Sequence, residues 1–294
     1  MTVPTLRLAT RGSAQAVTQA EFVVERLGAD GIDATLVIVE THGDRTQATN
    51  VPLHTIGGQG VFVKEVQTAV IDGRADVAVH SAKDLPTETD SRLTIGAYTE
   101  RRDPADALIG RPLDELSAGA TVATGSVRRR AQLALARPDL SFVELRGNIH
   151  TRLERIPEDG SIVMAVAALQ VLGLTDRIAE RLDTDRFVPA IGQGCVALEC
   201  RVDDDATRAA LAHIDHAPTR GAVEVERAYL GELGSGCSLP VGAYADAVRL
   251  TTFLATDDAR IAHREVVERS GDHPADLAAA RAAAHAARER VDAG

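Results

Sequence analysis

The sequence contains no tryptophan and only 3% aromatic residues, so it lacks the stacking platforms on which single-strand nucleic-acid binders rest successive bases. Lysine is almost missing too: Lys64 and Lys83 are the only two, and arginine supplies the rest of the 32 basic residues. Against them stand 43 acidic residues, for a net charge of −11 and a pI near 5.3, which excludes a protein that coats polyanions with its whole surface. Any anion site must be local. Cysteine is scarce: Cys195, Cys200 and Cys237 form no CxxC pair and are odd in number, so neither a disulfide framework nor a zinc ribbon is indicated, and a reducing compartment fits. No apolar run approaches the roughly 18 residues of a membrane span. The opening Met1-Thr2-Val3-Pro4-Thr5-Leu6-Arg7 shows no charged-then-apolar leader pattern. A cytoplasmic protein with neither membrane nor nucleic acid among its partners, and without a bound metal, is expected.

At 294 residues, with 45% hydrophobic and 26% charged residues, the chain is long enough for two or three packed domains. Leu6 to Thr10 reads as a strand, Arg11-Gly12-Ser13 as a turn, Ala14 to Leu27 as a helix with Val17, Ala20, Val24 and Leu27 on one side, and Ile32 to Val39 as a second strand. Thr121 to Thr124, Gly125-Ser126 and Val127 to Ala136 repeat that strand, turn and helix. A second echo follows, in which Ile71-Asp72-Gly73 feeds the strand Asp76 to His80 and Ile156 to Gly160 feeds the strand Ser161 to Val166. Strands alternating with helices predict largely parallel sheets whose sites lie beyond the strands' carboxyl ends. Tyr98 to Pro104 and the region after Val188 are the expected crossings between two lobes. From about Thr219 a helix through Glu224 to Leu233 and the strands Val248 to Thr256 and Ile261 to Val267 predict a small antiparallel α+β domain. A last helix, started by Asp272 and Pro274, should cover its sheet. His42 to Gly60, ending Gly57-Gly58-Gln59-Gly60, reads as a mobile surface loop.

Ser126 stands at a predicted helix start with Arg128, Arg129 and Arg130 in the first turn, where free N–H groups and guanidiniums suit a carboxylate or phosphate. Arginine there opposes the helix dipole. The competing reading is a solvated basic face. Arg146 and Arg152 add two bases after a β-prone run, as site groups or as surface ion pairs. Asp84, in His80-Ser81-Ala82-Lys83-Asp84-Leu85-Pro86, lies just past a predicted strand. An ionised carboxylate beside Lys83 can hold an N–H donor and stabilise developing positive charge, or it can simply cap a helix. Cys237, in Gly234-Ser235-Gly236-Cys237-Ser238-Leu239-Pro240, is flanked by small residues that suit a nucleophile or covalent anchor. Cys195 competes with it, and Cys200 reads as core. His80 reads as a satisfied strand histidine. His213 and His216 are placed on one helix face, without further ligands for a metal, and Asp203 to Asp205 as a solvated acidic turn.

In order along the chain, Thr10-Arg11-Gly12-Ser13, Phe62-Val63-Lys64-Glu65, His80 to Pro86, Arg128-Arg129, Leu145-Arg146-Gly147-Asn148 with Thr151-Arg152-Leu153, Gly192-Gln193-Gly194 and Gly236-Cys237 resemble the porphobilinogen deaminase, or hydroxymethylbilane synthase, family. The resemblance spans nearly the whole chain. It implies two doubly wound α/β lobes like those of periplasmic binding proteins plus a small C-terminal α+β domain with an antiparallel sheet: residues 1–98 with 195–215, 99–194, and 216–294. It implies a monomeric transferase of porphyrin, heme and other tetrapyrrole biosynthesis that joins four porphobilinogens head to tail and releases ammonia. The product, hydroxymethylbilane, is a linear tetrapyrrole freed by water. Cys237 would carry a dipyrromethane cofactor by a thioether. Asp84 would be catalytic, binding pyrrole nitrogens and stabilising the cationic azafulvene. Lys83, Ser81, Thr124, Ser126, Arg128, Arg129, Arg146, Arg152 and Gln193 would hold the cofactor, and Arg11, Ser13, Gln19, Phe62, Arg146 and Arg152 the substrate.

Four departures from the family pattern bear on affinity more than on chemistry: Gln15 in Ser13-Ala14-Gln15-Ala16, Gln59 for a loop lysine, Ala123-Thr124-Gly125-Ser126 for Gly-Thr-Ser-Ser, and Cys195 for alanine. Two other classes remain open. One is a two-lobed binding protein for a small carboxylate, motivated by the repeated strand, turn and helix; the other is a plain cysteine enzyme using Cys195 or Cys237.

Overall fold

Apolar alternation in Leu6-Arg7-Leu8-Ala9-Thr10 builds the first strand, and the computed structural model, which describes residues 5–40, 63–234 and 239–293, places it at Leu6–Arg11 (β1). The chain continues through α1 (Ala14–Ala29), β2 (Ala34–Val39), α2 (Lys64–Ile71), β3 (Val77–Ser81) and β4 (Leu93–Tyr98). After a crossing come β5 (Asp106–Ile109), β6 (Thr121–Ala123), α3 (Val127–Ala136), β7 (Ser141–Val143), α4 (Ile149–Leu153), β8 (Ser161–Ala165), α5 (Val166–Val171) and β9 (Glu180–Arg181). A second crossing leads to β10 (Val196–Arg201), α6 (Asp205–Ala212) and α7 (Ala217–Glu232), then β11 (Val241–Ala245), β12 (Arg249–Ala255), β13 (Ala262–Glu268) and α8 (His273–Asp292). Contacts divide the chain into two units, 1–101 with 195–220, and 102–194 with 221–294.

In the first unit the sheet order is β2-β1-β3-β10-β4. β1 runs parallel to β2 and β3, while β10 is antiparallel to β3 and β4. Because successive side chains point to opposite faces, Leu8, Val77 and Val79 meet Ala20, Val23 and Leu27 of α1 and Leu211 of α6. Ala9 and Ala78 meet Val66, Ala69 and Val70 of α2 on the other face. Both faces are covered, and each fully buried Leu or Val contributes about 1.5–3 kcal/mol.

The second unit repeats this order as β7-β6-β8-β5-β9. β6 runs parallel to β7 and β8, with β5 antiparallel to β8 and β9. Leu133 of α3 packs with Val122, Val163 and Phe187 on one face, and Ile149 and Leu169 pack with Ile109 and Ile162 on the other. Both are doubly wound sheets, with helices on each face. The same unit holds an antiparallel sheet, β11-β12-β13, whose Ala243, Leu250 and Leu254 bury against Tyr229 and Leu230 of α7 and Ala280, Ala283, Ala284 and Ala287 of α8. The small alanine side chains allow that last helix to lie close.

Three sequence expectations change. His213 ends α6 and His216 precedes α7, so they share no helix: Asp215 is drawn away to accept the Tyr98 N–H and the Arg220 Nε–H, both at 2.8 Å. Asp84 is the last residue of a 3-10 turn, Ala82–Asp84, and caps no helix, because the chain leaves the turn in an extended conformation at Leu85. β11 was not foreseen. The expected loop His42 to Gly60 lies outside the described residues, as do Phe62 and Cys237.

Candidate active site

The candidate groups fall into two sets, one in each unit, and both sets lie beyond the carboxyl ends of parallel strands, where α/β sheets place their sites. In the first unit Arg11 ends β1, and Ser13 caps α1 by accepting the Ala16 N–H at 3.3 Å. The neighbouring strand β3 ends at Ser81, whose Oγ–H donates to Gln19 Oε1 at 3.1 Å. A serine and a glutamine named separately by the sequence are thus brought into contact. Beyond Ser81 the 3-10 turn presents Lys83 and Asp84, and the Ala82 N–H donates to the Cys195 carbonyl at 3.0 Å to fix it. Asp84 is half-buried and, among the described residues, has neither a hydrogen-bond nor an ion-pair partner. A carboxylate so placed has its lone pairs available to an N–H donor or a cation.

Beneath the turn, His80 is buried with its Nε2 3.0 Å from Glu199 Oε2. The same oxygen accepts the Gln67 Nε2–H at 2.8 Å. His80 is therefore a strand histidine tied to β10. Cys195 and Cys200 are buried. Burial, with a smaller contribution from Asp204, pushes the Cys200 thiol up to about 11, so it remains protonated as a core residue.

In the second unit Thr124 follows β6, and its Oγ1 accepts the Ser126 N–H at 3.2 Å. Ser126 in turn caps α3 through the Arg129 N–H at 3.4 Å. That cap aims the first turn of α3 inward, so Arg128 and Arg129 are buried rather than solvated. Both meet Asp106, at the start of β5. Arg128 Nη2 lies 2.8 Å from Oδ2, and Arg129 donates from Nε at 3.0 Å and Nη2 at 2.7 Å to Oδ1. Gln193 Nε2–H donates to Asp106 Oδ1 at 2.9 Å and to the Pro104 carbonyl at 2.7 Å. Remaining donors go to main-chain carbonyls: Arg128 Nη1 to Val188 at 2.6 Å and Arg129 Nη1 to Val163 at 3.1 Å. Burial opposes ionisation of Asp106, but the charges of Arg128 and Arg129 and the hydrogen bonds outweigh it and hold this carboxyl well below the ordinary carboxylate range.

Arg146 and Arg152 sit on the segment after β7. Arg146 Nε lies 3.2 Å from Glu144 Oε1, and Arg152 Nε–H donates to the Gly147 carbonyl at 2.7 Å. Gly147 takes a φ of 108°, a conformation that favours glycine, and Asn148 then caps α4 by accepting the Thr151 N–H at 3.0 Å. Sequence reading did not single out Asp106. Its one trace was an acid opening the apolar run Asp106 to Ile109, where a buried strand start needs a cation partner.

Chemically, two permanent positive charges share one negative charge in the second unit, which leaves the cluster with affinity for a carboxylate. The first unit offers an acid to an N–H group or a developing cation. One unit of this α/β protein thus carries an arginine cluster around Asp106, and the other carries the carboxylate of Asp84. Residues 6–209 match the family model of the porphobilinogen deaminase dipyromethane cofactor binding domain, and residues 221–287 that of the porphobilinogen deaminase C-terminal domain. Porphobilinogen deaminase of Trichlorobacter lovleyi is 43% identical over 275 residues, covering 90% of this chain and 88% of that protein. The Shouchella clausii protein of that name is 44% identical over 271 residues, covering 88% and 86%. Probable porphobilinogen deaminase of Methanopyrus kandleri is 42% identical over 269 residues, covering 88% and 90%. Among solved structures, the methionine-binding protein MetQ is 14% identical, covering 77% of this chain and 93% of that one, with a TM-score of 0.45. The chain belongs to the porphobilinogen deaminase family. Among the described residues no helix is long and apolar enough to cross a membrane.

Proposed function

We propose that this chain is a transferase of tetrapyrrole biosynthesis that condenses four porphobilinogen molecules head to tail, releasing ammonia at each addition and finally the linear tetrapyrrole hydroxymethylbilane. The observation that carries the mechanism is the half-buried carboxylate of Asp84 just past the end of β3, which has no partner among the described residues. Positioned past a parallel strand and held by the Ala82 to Cys195 hydrogen bond, it accepts a pyrrole N–H. It also stabilises the positive charge that develops on the substrate as the aminomethyl C–N bond breaks and ammonia leaves. Further growth needs a new carbon–carbon bond and loss of a ring proton, for which Asp84 is the nearest base along this turn.

The family's dipyrromethane, bound covalently, supplies a permanent primer for the growing chain. The residues fit it: the arginine cluster around Asp106 carries excess positive charge for its carboxylate side chains. Cys237 is the residue we assign as its anchor. Lys83, Ser81, Thr124, Ser126, Arg128, Arg129, Arg146, Arg152 and Gln193 are assigned to the cofactor, and Arg11, Ser13, Gln19, Phe62, Arg146 and Arg152 to the substrate. Arg146 and Arg152 serve both as the chain grows. Three domains are assigned, 1–98 with 195–215, 99–194, and 216–294, supported by the crossings after Tyr98 and Gly194 and by the small sheet's own core. A monomer in the cytoplasm completes the reading. A carboxylate-binding protein would use the arginines and leave Asp84 without a role.

Purified protein incubated with porphobilinogen should yield ammonia and hydroxymethylbilane. Asp84→Asn and Asp84→Ala should bring product formation close to background. Full turnover in either variant removes Asp84 from the mechanism.

A further inference from the structure

Asp106 is the one acid among the buried arginine contacts just described, and its geometry leaves little freedom. Oδ2 takes Arg128, while Oδ1 takes Arg129 twice and Gln193 once. The three partners come from distant parts of the sequence: Gln193 is 87 residues away and Arg129 is 23. Two guanidiniums in a buried place repel each other, and neither can shed its charge. Carbonyl acceptors at Val188 and Val163 orient them but bring no negative charge. Only the carboxylate does both. One negative charge against two positive ones still leaves the cluster a single positive charge in excess.

We propose that Asp106 is a positioning residue: its carboxylate fixes the Arg128 and Arg129 guanidiniums together with Gln193 and leaves them one uncompensated positive charge for a single carboxylate group of the dipyrrole. This rests on the function proposed above. Asp106 acts through the arginines and Gln193 that it holds. Removing it sets two cations adrift and leaves the dipyrrole loosely held, so turnover suffers more than substrate capture.

The test compares wild type, Asp106→Asn, Asp106→Glu and a control, Asp276→Asn. Asp276 is also a buried acid paired with an arginine, Arg269, at 3.2 Å, but it lies on α8 among groups assigned no part in the chemistry. Each purified protein is read by denatured intact mass for the fraction carrying two linked pyrroles, by kcat and KM with porphobilinogen, and by thermal unfolding. Asp106→Asn should lower the loaded fraction and reduce kcat of the loaded protein at least about tenfold with KM changed less than about threefold, since small displacements of reacting groups carry large rate penalties. Asp276→Asn should lose thermal stability while keeping both loading and kcat. Should Asp106→Asn not fold, Asp106→Glu decides, because it keeps the charge and moves it by one methylene: reduced loading or kcat supports positioning, and wild-type values for both overturn it. Wild-type loading and kcat in a folded Asp106→Asn overturn it as well, as does an equal loss of loading and kcat in Asp276→Asn. Absence of the two-pyrrole mass from wild type, persisting after incubation with porphobilinogen, would instead remove the functional reading itself.

Discussion

The two five-stranded sheets share strand order and strand sense, yet their buried acids have opposite company. In each, the fourth strand of the order is antiparallel and follows a crossing: β10 in the first unit, β5 in the second. Each of these strands buries one carboxylate, Glu199 on β10 and Asp106 on β5. Glu199 meets an imidazole and an amide, whereas Asp106 meets two guanidiniums and an amide. An imidazole can be neutral and a guanidinium cannot. One frame thus carries a buried acid beside an imidazole and, elsewhere, a buried acid between two guanidiniums that stay charged. At the strand ends the first unit presents Asp84 beside Arg11 and Lys83, and the second presents arginines. Duplicated architecture has been given two chemistries by a handful of side chains.

The largest effect expected from breaking this contrast is at Asp84: Asp84→Ala should cut turnover by about 10²-fold or more while leaving the thermal transition in place, because the carboxylate has no partner among the described residues to lose. Next is Asp106→Ala, which strands two buried cations and should cost about 3–5 kcal/mol in urea unfolding at pH 7. The pH dependence has a definite sign. Asp106 titrates lower in the folded protein than the ordinary value near 3.9, so its contribution is complete above about pH 4 and is lost as the pH falls below that. The gap between wild type and variant should therefore narrow in acid.

Glu199→Gln should cost less, about 1–2 kcal/mol, since the amide keeps an acceptor for Gln67 and strands no guanidinium. A loss equal to that of Asp106→Ala would erase the distinction between the two buried acids. Smaller again is Ser126→Ala, which removes the cap of α3 and should cost about 1 kcal/mol. If the cap also aims the arginines, kcat should fall with it. Least of all, Cys200 should resist alkylation at pH 8 in the folded protein and react only on unfolding, because burial keeps its thiol protonated.

Much of the frame could be read from local pattern. Ser13 and Ser126 cap the helices where the sequence placed them, because a short hydroxyl before an apolar-periodic run satisfies orphan N–H groups wherever it occurs. The repeated strand, turn and helix likewise proved to be equivalent parts of equivalent sheets. In α1, Val23 is fully buried beside Ala20 and Leu27, and Val17 is only partly covered, a small rotation of the expected stripe. β11 escaped notice because Val241-Gly242-Ala243-Tyr244-Ala245 has weak β-propensity and is held by its pairing with β12. Asp106 escaped for a related reason: its partners come from α3 and from the return segment, and no local pattern announces a charge cluster assembled by tertiary folding. Arg128 and Arg129 were singled out for their helix start, but that start does not reveal that they share an acid.

The most direct test is the denatured intact mass of the protein beside Cys237→Ser, each treated with Ehrlich's reagent and each also incubated with porphobilinogen. The account predicts an excess mass of two linked pyrroles and a colour in the wild-type protein, both absent from the variant. A wild-type mass equal to that of the bare chain, unchanged after incubation, would contradict it.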